Sequence, residues 1–285
     1  MTIIDGKIIS AKVKAELKEK VEEFVKTYNR TLKLAVILVG DNPASQVYVK
    51  NKIKACETVG IQSLSFKLPQ ESSQAEVEQV VNSLANDNSI DGILVQLPLP
   101  KHIDEQYILN LIPASKDVDG FLPENIGNLA MGMPTTVACT PFGVIQMLKH
   151  INVDLVGKHA VVIGRSNIVG KPMAMLLLNE NCTVSVCHSK TKNLSDITNT
   201  ADIIVCAIGR PKFLKEDMVK QGAIVIDVGI NRTEEGLVGD VDFENVSKKA
   251  SFITPVPGGV GPMTIAMLMQ NTYNSAIRRE QCKTK

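Results

Sequence analysis

Apolar runs alternate with amphipathic stretches along most of the chain. The runs have the length of β-strands, and their apolar positions are consecutive, which is typical of parallel strands covered on both faces. In the first half the predicted strands are 32–40, 61–68 and 92–100. The predicted helices there are 45–59, 73–84 and 104–111, after a first helix marked by Ile9, Val13, Leu17 and Val21. We therefore expect an α/β domain up to about residue 138.

A second series of the same kind follows. Its predicted strands are 159–164, 183–188, 202–208, 222–228 and 251–254, and its predicted helices are 141–150 and 170–179. This succession is the pattern of a doubly wound parallel sheet of the Rossmann type. The intervening segment 114–141 is rich in turn formers and weakly periodic, which indicates an interdomain connection.

The sequence thus predicts an α/β fold of two domains with a cleft between them. We assign residues 1–138 to a first domain and residues 139–261 to a second domain of the Rossmann type. The final helix, 262–280, contains the run MTIAMLM and is apolar on nearly every side. Such a helix must be buried, so we expect it to pack back on the first domain.

Composition narrows the class of protein. The chain has 285 residues, and its 31 Lys and Arg nearly balance its 30 Asp and Glu, so no bulk attraction to nucleic acid or to an anionic membrane is expected. No signal-peptide core and no run of transmembrane length is present, which predicts a cytoplasmic protein. The six cysteines form no CxxC pair, and the spacing of Cys182, Cys187 and His188 fits no common zinc site, so we expect no metal.

The segment AVVIGRSNIVGKP (160–172) carries the strongest chemical signal. An apolar strand stops at Gly164, a tight polar turn follows, and Gly170 opens an apolar helix. Backbone amides and a helix dipole would then point at one place, as a pyrophosphate requires. The usual dinucleotide fingerprint has three glycines and the middle one is missing here, so the motif needs support from its context.

That context favours NADP. Rossmann domains that select NAD present an acidic residue after the second strand, whereas this strand is followed by His188, Ser189 and Lys190. Arg165 follows Gly164 in the turn, and an arginine with a hydroxyl suits a 2′-phosphate. Alternatively, Arg165 and Lys190 are ordinary surface cations.

Two further glycine turns end strands of the same domain, AIGRP (207–211) and DVGIN (227–231). Ligands of open α/β sheets lie at the carboxyl ends of strands. We therefore expect Gly209 and Gly229 to let the backbone approach the cofactor, with Val228 and Ile230 beside the nicotinamide. The alternative is that both are structural turns.

Candidate catalytic groups lie in the first domain. Tyr48 and Lys52 are four residues apart and project from one helix face. Gln96 is a polar amide in an apolar run and needs a partner, since an unsatisfied buried polar group costs about 1–3 kcal/mol. Asp119 precedes a glycine. Each candidate also has a structural interpretation. Tyr48 and Lys52 could simply lie on an exposed helix face, Gln96 could bond to the backbone alone, and Asp119 could stabilise a turn.

Seven motifs that contain or flank these residues follow one another along the chain, and their order carries a family resemblance. They are YVKNK, GILVQLPLP, KDVDGF, GRSNIVGKP, CHSKT, DVGIN and PVPGGVGPMT. Along essentially its full length the chain resembles the bifunctional methylenetetrahydrofolate dehydrogenase/methenyltetrahydrofolate cyclohydrolase family. Small departures occur at Asn128, Ala138 and Ile53, and they leave the details of the hinge loop open.

The resemblance implies a role for each candidate. Lys52 is the cyclohydrolase lysine, Tyr48 packs on the aminobenzoyl ring of the folate, and Gln96 neighbours the lysine. Asp119 holds the pterin, while Gly259 and Thr264 lie in the loop near the substrate. The phosphate contacts to NADP come from Arg165 and Ser189, beside Gly164 and Ser166 of the same turn. A homodimer is also implied.

The implied chemistry is a pair of reactions in one cleft. Hydride leaves the bridging carbon of 5,10-methylenetetrahydrofolate, and water then opens the methenyl product to 10-formyltetrahydrofolate. The first step needs orientation, while the second needs proton handling, with Lys52 acting either as a base or as a polarising group. Two rivals stay open at this point, namely a shikimate-type two-domain NADP dehydrogenase and a non-enzymatic Rossmann protein that senses cofactor.

Overall fold

The computed structural model describes residues 1–234 and 236–283, and the chain forms two compact units. The six-stranded unit comprises Met1–Ala11, Leu129–Met133 and Ala138–Thr264. The three-stranded unit comprises Lys12–Asn128, Pro134–Val137 and the chain from Ile265 onward. The chain therefore begins in the six-stranded unit and then forms most of the three-stranded unit. It next forms the rest of the six-stranded unit, and its last helix belongs to the three-stranded unit.

In chain order the strands are β1 (Thr2–Ile3), β2 (Lys33–Val39), β3 (Gln62–Leu68), β4 (Gly92–Val95), β5 (His159–Ile163), β6 (Thr183–Cys187), β7 (Ile203–Cys206), β8 (Ile224–Asp227), β9 (Asn231–Thr233), β10 (Gly236–Val238) and β11 (Phe252–Ile253). The helices are α1 (Gly6–Tyr28), α2 (Pro43–Val59), α3 (Gln74–Asn86), α4 (Glu105–Asn110), α5 (Pro123–Ala130), α6 (Cys139–His150), α7 (Gly170–Asn179), α8 (Leu194–Thr198), α9 (Phe243–Val246) and α10 (Val260–Lys283). A short 3₁₀ turn covers Glu216–Met218.

The three-stranded unit has a parallel sheet in the order β3-β2-β4. The central strand β2 is buried at all but its first residue, as its unbroken apolar run predicts. α3 packs Val77 and Val81 onto one face of this sheet, together with Ile108 of α4. The prediction of strands covered on both faces is therefore confirmed for β2 and β4, whereas the edge strand β3 has no buried residue.

The six-stranded unit has the order β1-β11-β8-β7-β5-β6, with every pairing in this sheet parallel. From β5 the chain goes outward to β6 and then crosses to β7 on the other side. The strand order therefore reverses between β5 and β7, which is the switch point of a doubly wound sheet. The predicted Rossmann-type architecture is confirmed.

Several features differ from the sequence prediction. The segment 114–141 was expected to be a turn-rich connection, yet it contains the helix α5. The strand expected over 92–100 ends at Val95, because Pro98 and Pro100 have no N–H to give to a neighbouring strand. The two-residue strand β1 and the β9–β10 hairpin are too short to produce a periodic signal, and the sequence analysis missed them.

From Ile265 onward, α10 belongs to the three-stranded unit. Asn271 donates to the carbonyls of Val118 and Val137 at 2.9 and 2.8 Å. Ser275 donates to the carbonyl of Asp91 at 2.7 Å. These bonds satisfy polar groups of a mostly buried helix, so its polar positions also direct its packing. Neither α10 nor any other helix in residues 1–234 and 236–283 is long and apolar enough to cross a membrane.

A buried carboxylate fixes the same helix electrostatically. Asp91 is fully buried and receives two parallel bonds from the Arg30 guanidinium, at 2.9 and 2.8 Å. Arg279 of α10 approaches the same carboxylate at 3.2 Å. Removing one partner of a buried ion pair costs about 3–5 kcal/mol, because the other charge is left without compensation. This cluster therefore anchors α10 to the start of β4.

Candidate functional site

The turn after β5 needs glycine at both ends. Gly164 has φ +124°, and a Cβ atom there would lie 2.2 Å from the carbonyl oxygen of Ala207. A Cβ atom at Gly170 would lie 2.3 Å from the carbonyl oxygen of Gly164. Both distances are far below van der Waals contact, so only glycine lets α7 start this close to the turn. The missing middle glycine of the fingerprint does not prevent this geometry.

Ser166 organises the interior of the turn. Its hydroxyl accepts the N–H groups of Val169 and Gly170, both at 3.2 Å, and its carbonyl accepts the N–H of Lys171 at 3.0 Å. The hydroxyl keeps its own hydrogen for a bond to another acceptor. Residues 165–168 are exposed beside the start of α7. This arrangement suits an anionic group at the helix N-terminus.

The predicted cofactor residues follow neighbouring strands. Ile163 of β5 is in register with Cys187 of β6, and Arg165 and Ser189 each lie two residues beyond this pair. Both residues are exposed. Because the strands are parallel, the chain leaves them at the same edge of the sheet. No carboxylate occurs in residues 188–191, so the exposed groups there suit a phosphate better than a ribose hydroxyl.

The other two glycine turns leave the same edge. Gly209 follows β7 with φ +64°, and Gly229 follows β8. A Cβ atom at Gly229 would lie 2.2 Å from a carboxylate oxygen of Asp240, so this position also requires glycine. Val228 is half-buried and Ile230 is 48% exposed, which leaves apolar surface for a flat ring. Packing against Asp240 accounts for the glycine at 229, and a cofactor contact at these turns stays a prediction.

Two buried aspartates behind these turns escaped the sequence analysis. Asp227 ends the apolar strand β8, and Asp240 follows the β9–β10 hairpin. Burial raises the pKa of Asp227 to about 7, against hydrogen bonds from the N–H groups of Val241 and Asp240 that lower it. A carboxylate at the end of an apolar strand, directly before a glycine turn, is the signal that could have indicated Asp227.

The three-stranded unit holds the candidate catalytic lysine. The Lys52 ammonium donates to the side-chain oxygen of Gln96 at 3.0 Å, and the Gln96 amide donates to the carbonyl of Leu97 at 2.7 Å. An ammonium can only donate, so the amide oxygen must face it. Both ends of the Gln96 amide are therefore hydrogen-bonded, one to Lys52 and the other to the backbone of Leu97. Both side chains are half-buried.

Asp119 interacts electrostatically with the lysine. Desolvation raises the pKa of Asp119 to about 6, and the positive charge of Lys52 opposes the shift. Asp117 is buried beside it and accepts the N–H groups of Gly120 and Leu122 at 2.9 and 3.0 Å. Asp117 therefore shapes the turn, while Asp119 stays half-buried. The two aspartates of KDVDGF have different tasks.

Helix α2 positions Tyr48 and Lys52. Asn42 caps it by accepting the N–H groups of Ala44 and Ser45, and Gly60 ends it in the left-handed conformation. Val49 and Cys56 are buried and hold the helix on its sheet. The Tyr48 side chain is 45% exposed, so its ring is available for contact with a ligand.

Gly259 and Thr264 belong to the six-stranded unit, unlike the other predicted substrate residues. A Cβ atom at Gly259 would lie 2.5 Å from the carbonyl oxygen of Pro255, and a Cβ atom at Gly6 would lie 1.8 Å from the carbonyl oxygen of Gly259. The Thr264 hydroxyl pairs with that of Thr140 at 3.0 Å. Close packing at the start of α10 accounts for both residue types, and a role in substrate binding stays a prediction.

Metal binding has no geometric support in the described residues. Within 1–234 and 236–283 no three His, Cys, Asp or Glu side chains are grouped as metal ligands. The Cys182 thiol instead donates to the carbonyl of Leu155 at 3.2 Å. Its burial and the nearby Glu180 charge raise its pKa to about 11, which keeps it protonated.

Comparison with known proteins covers both units. Residues 4–119 match the family described as tetrahydrofolate dehydrogenase/cyclohydrolase, catalytic domain. Residues 138–280 match the family described as tetrahydrofolate dehydrogenase/cyclohydrolase, NAD(P)-binding domain. Residues 120–137, which lie within the segment that the sequence analysis treats as a connection, separate the two matches.

Individual relatives agree over nearly the full length. The bifunctional protein FolD of Campylobacter curvus is 60% identical, over 98% of this chain and 97% of its own. The crystal structure of the FolD dehydrogenase/cyclohydrolase from Campylobacter jejuni has a TM-score of 0.95 at 59% identity, covering 98% of this chain and 99% of the other. The Trypanosoma brucei dehydrogenase-cyclohydrolase, complexed with NADP and an inhibitor, has a TM-score of 0.92 at 39% identity and covers 98% of both chains. The chain therefore belongs to the tetrahydrofolate dehydrogenase/cyclohydrolase family.

Proposed function

We propose that Lys52, Gln96 and Asp119 carry the folate chemistry of this protein and that the turn after β5 binds its NADP. The chain is a bifunctional enzyme of one-carbon metabolism that oxidises 5,10-methylenetetrahydrofolate with NADP and hydrolyses the methenyl product to 10-formyltetrahydrofolate. The hydrogen bond between Lys52 and Gln96, beside the Asp119 carboxylate, is the observation that supports this assignment most directly.

The oxidation needs orientation more than proton transfer. NADP, when bound, accepts a hydride from the bridging carbon of the folate, and no proton leaves that carbon. The chain then has to hold both reactants in place, which alone supplies large rate factors. Arg165, Ser166 and Ser189 would fix the phosphates of the cofactor, while Val228 and Ile230 would lie against its nicotinamide. Tyr48 would pack on the aminobenzoyl ring, and Asp119 would accept N–H groups of the pterin.

The hydrolysis does need proton handling. Water adds to the cationic methenyl carbon and loses a proton, and a C–N bond of the five-membered ring then breaks as its nitrogen gains one. Lys52 is the group proposed to move these protons. Gln96 orients the lysine, since its amide is itself fixed by the carbonyl of Leu97. Asp119 supplies a negative charge that balances the ammonium and the cationic substrate.

The rival functions have less support. A shikimate-type dehydrogenase would require another family, whereas both halves of this chain match the folate enzymes. A cofactor sensor would have no use for a lysine held by a glutamine beside a carboxylate. The NADP preference is supported by the cations at the ends of β5 and β6 and by the NADP-bound relative from Trypanosoma brucei.

Assembly and location are further parts of the proposal. A homodimer follows from the family resemblance, and sedimentation equilibrium at micromolar concentration would reveal a monomer if this is wrong. A cytoplasmic location is supported by cysteine usage, because Cys56, Cys182, Cys187 and Cys206 are buried thiols outside any disulfide. Buried reduced thiols are typical of a reducing compartment.

Substitution of the lysine separates the two activities. In Lys52→Met we expect the hydrolysis of methenyltetrahydrofolate to fall by about 100- to 10,000-fold, the usual contribution of a general acid or base. NADP reduction should fall by less than about tenfold, because the oxidation depends on orientation. Both rates are measured spectrophotometrically. Lys50→Met, on an exposed position of the same helix, should leave both rates unchanged. Equal loss of both activities in Lys52→Met would reduce the lysine to a positioning role.

Acid should weaken folate binding through Asp119. Its pKa is raised to about 6, so the carboxylate is lost as the pH falls through that value and can no longer accept N–H groups of the pterin. We expect the Michaelis constant for methenyltetrahydrofolate to rise by about tenfold from pH 7 to pH 5. Asp119→Asn should raise this constant at pH 7 and remove its pH dependence. An unaltered profile in the variant would return Asp119 to a purely structural turn.

The phosphate assignment predicts a change in cofactor preference. Arg165→Ala should raise the Michaelis constant for NADP by about tenfold, the value of one lost hydrogen bond to a charged group, and change that for NAD by less than about twofold. Lys158→Ala removes an exposed cation at the opposite end of β5 and should alter neither constant. Parallel increases for both cofactors in Arg165→Ala would contradict a contact with the 2′-phosphate.

A further inference from the structure

The turn after β7 is held by a carboxylate behind it. One oxygen of Asp240 accepts the N–H groups of Ile208 and Gly209 at 2.7 and 2.9 Å. The other oxygen accepts the N–H of Arg210 at 2.8 Å and the side-chain amide of Asn231 at 2.9 Å. Three consecutive backbone N–H groups therefore point at one buried carboxylate, an arrangement that otherwise forms anion-binding concavities.

A second carboxylate holds the first. Asp227 accepts the N–H groups of Asp240 and Val241 at 2.8 and 2.9 Å, and also the N–H of Gly229 at 3.0 Å. Its own N–H donates to the hydroxyl of Thr254 at 2.7 Å. Asp227 thereby connects the turn after β8 to the segment that carries Asp240. The two turns are therefore joined through both carboxylates.

The carboxylates of Asp227 and Asp240 accept hydrogen bonds from neutral donors and form no ion pair in the described part of the chain. Asp227 and Asp240 are 3% and 0% exposed, and the ion pairs within the described part of the chain involve neither of them. A buried charge is costly unless it is fully hydrogen-bonded, and a fold could fix two turns more cheaply with apolar contacts. The presence of two buried carboxylates therefore indicates that the exact position of these turns matters.

The geometry connects Asp240 to the dinucleotide turn. In a trans peptide the C=O points opposite to the N–H, so the carbonyl of Ala207 faces away from Asp240 when the N–H of Ile208 points at it. That carbonyl is the atom that would lie 2.2 Å from a Cβ at Gly164. Asp240 therefore sets how closely the turn after β7 approaches the turn after β5, at the switch point of the sheet.

We propose that Asp240, held by Asp227, is a positioning residue of the NADP site that fixes the turn after β7 against Gly164. The inference rests on the proposed function, because it assumes that the cofactor lies along this edge of the six-stranded unit. Asp240 accepts backbone N–H groups at the turn after β7 and the Asn231 side chain at the turn after β8. Its effect on the cofactor is exerted through the positions of Gly164, Gly209 and Gly229.

The test compares the two activities in Asp240→Asn. This change replaces one acceptor oxygen by an NH₂ group that faces N–H donors, with little change in volume. We expect the Michaelis constant for NADP to rise by about 10- to 100-fold, consistent with lost hydrogen bonds to a charged group. The hydrolysis of methenyltetrahydrofolate requires no nicotinamide and is assigned to the other unit, so its rate should stay within about twofold.

A milder variant and a control keep the test decisive. Asn231→Ala keeps the carboxylate but removes one of its donors, so the Michaelis constant for NADP should rise by about 2- to 10-fold even if Asp240→Asn does not fold. Asp242→Asn removes a charge from the same segment, where Asp242 faces Lys215 at 3.4 Å, and should leave the constant unchanged.

The outcomes separate the two hypotheses. An unchanged Michaelis constant for NADP in folded Asp240→Asn or Asn231→Ala would overturn the positioning role, as would a parallel loss of both activities. A wild-type protein that does not reduce NADP with methylenetetrahydrofolate would overturn the proposed function itself. A selective rise in the NADP constant, with the hydrolysis rate preserved, would support both.

Discussion

The functional groups of this protein depend on one property of parallel sheets, namely that all carboxyl ends of the strands lie at one edge. Gln96 follows β4 in the three-stranded unit. In the six-stranded unit, Gly164, Ser189, Gly209 and Gly229 follow β5, β6, β7 and β8. Within the six-stranded unit, residues that are distant in sequence are thereby placed along one edge of its sheet, and short turns are enough to present them.

Close approach of backbone to backbone is the second constraint. Gly164 lies against Ala207, Gly170 against Gly164, and Gly6 against Gly259. Each contact removes the space for a side chain, and Gly6, Gly164, Gly170 and Gly259 are all buried. The packing of the six-stranded unit therefore fixes the path of these turns by itself. Buried carboxylates behind the turns after β7 and β8 add to this, since they accept N–H groups of the turn backbone.

The candidate site shows which functional residues can be recognised from the sequence pattern alone. Tyr48 and Lys52 were found through helical spacing, and Gln96 through its polarity within an apolar run. Gln96 in fact lies one residue beyond the end of β4. Its side-chain oxygen accepts a hydrogen bond from the Lys52 ammonium. Asp240 gave no signal of this kind, because its partners at Ile208–Arg210 are about 30 residues away along the chain. Proline, glycine and periodicity act locally, whereas a buried hydrogen bond between distant segments leaves no local mark.

The sequence by itself determined the class of fold, the parallel strands, the position of the glycine turn after β5 and the family. These follow from local rules, since unbroken apolar runs form buried strands and a strand–glycine–helix turn demands small residues at fixed places. Tertiary structure alone decided that Lys52 meets Gln96, that Lys52 lowers the pKa of Asp119 against desolvation, and that two aspartates hold the turns after β7 and β8. Burial and distance set those interactions, and both quantities exist only once the chain has folded.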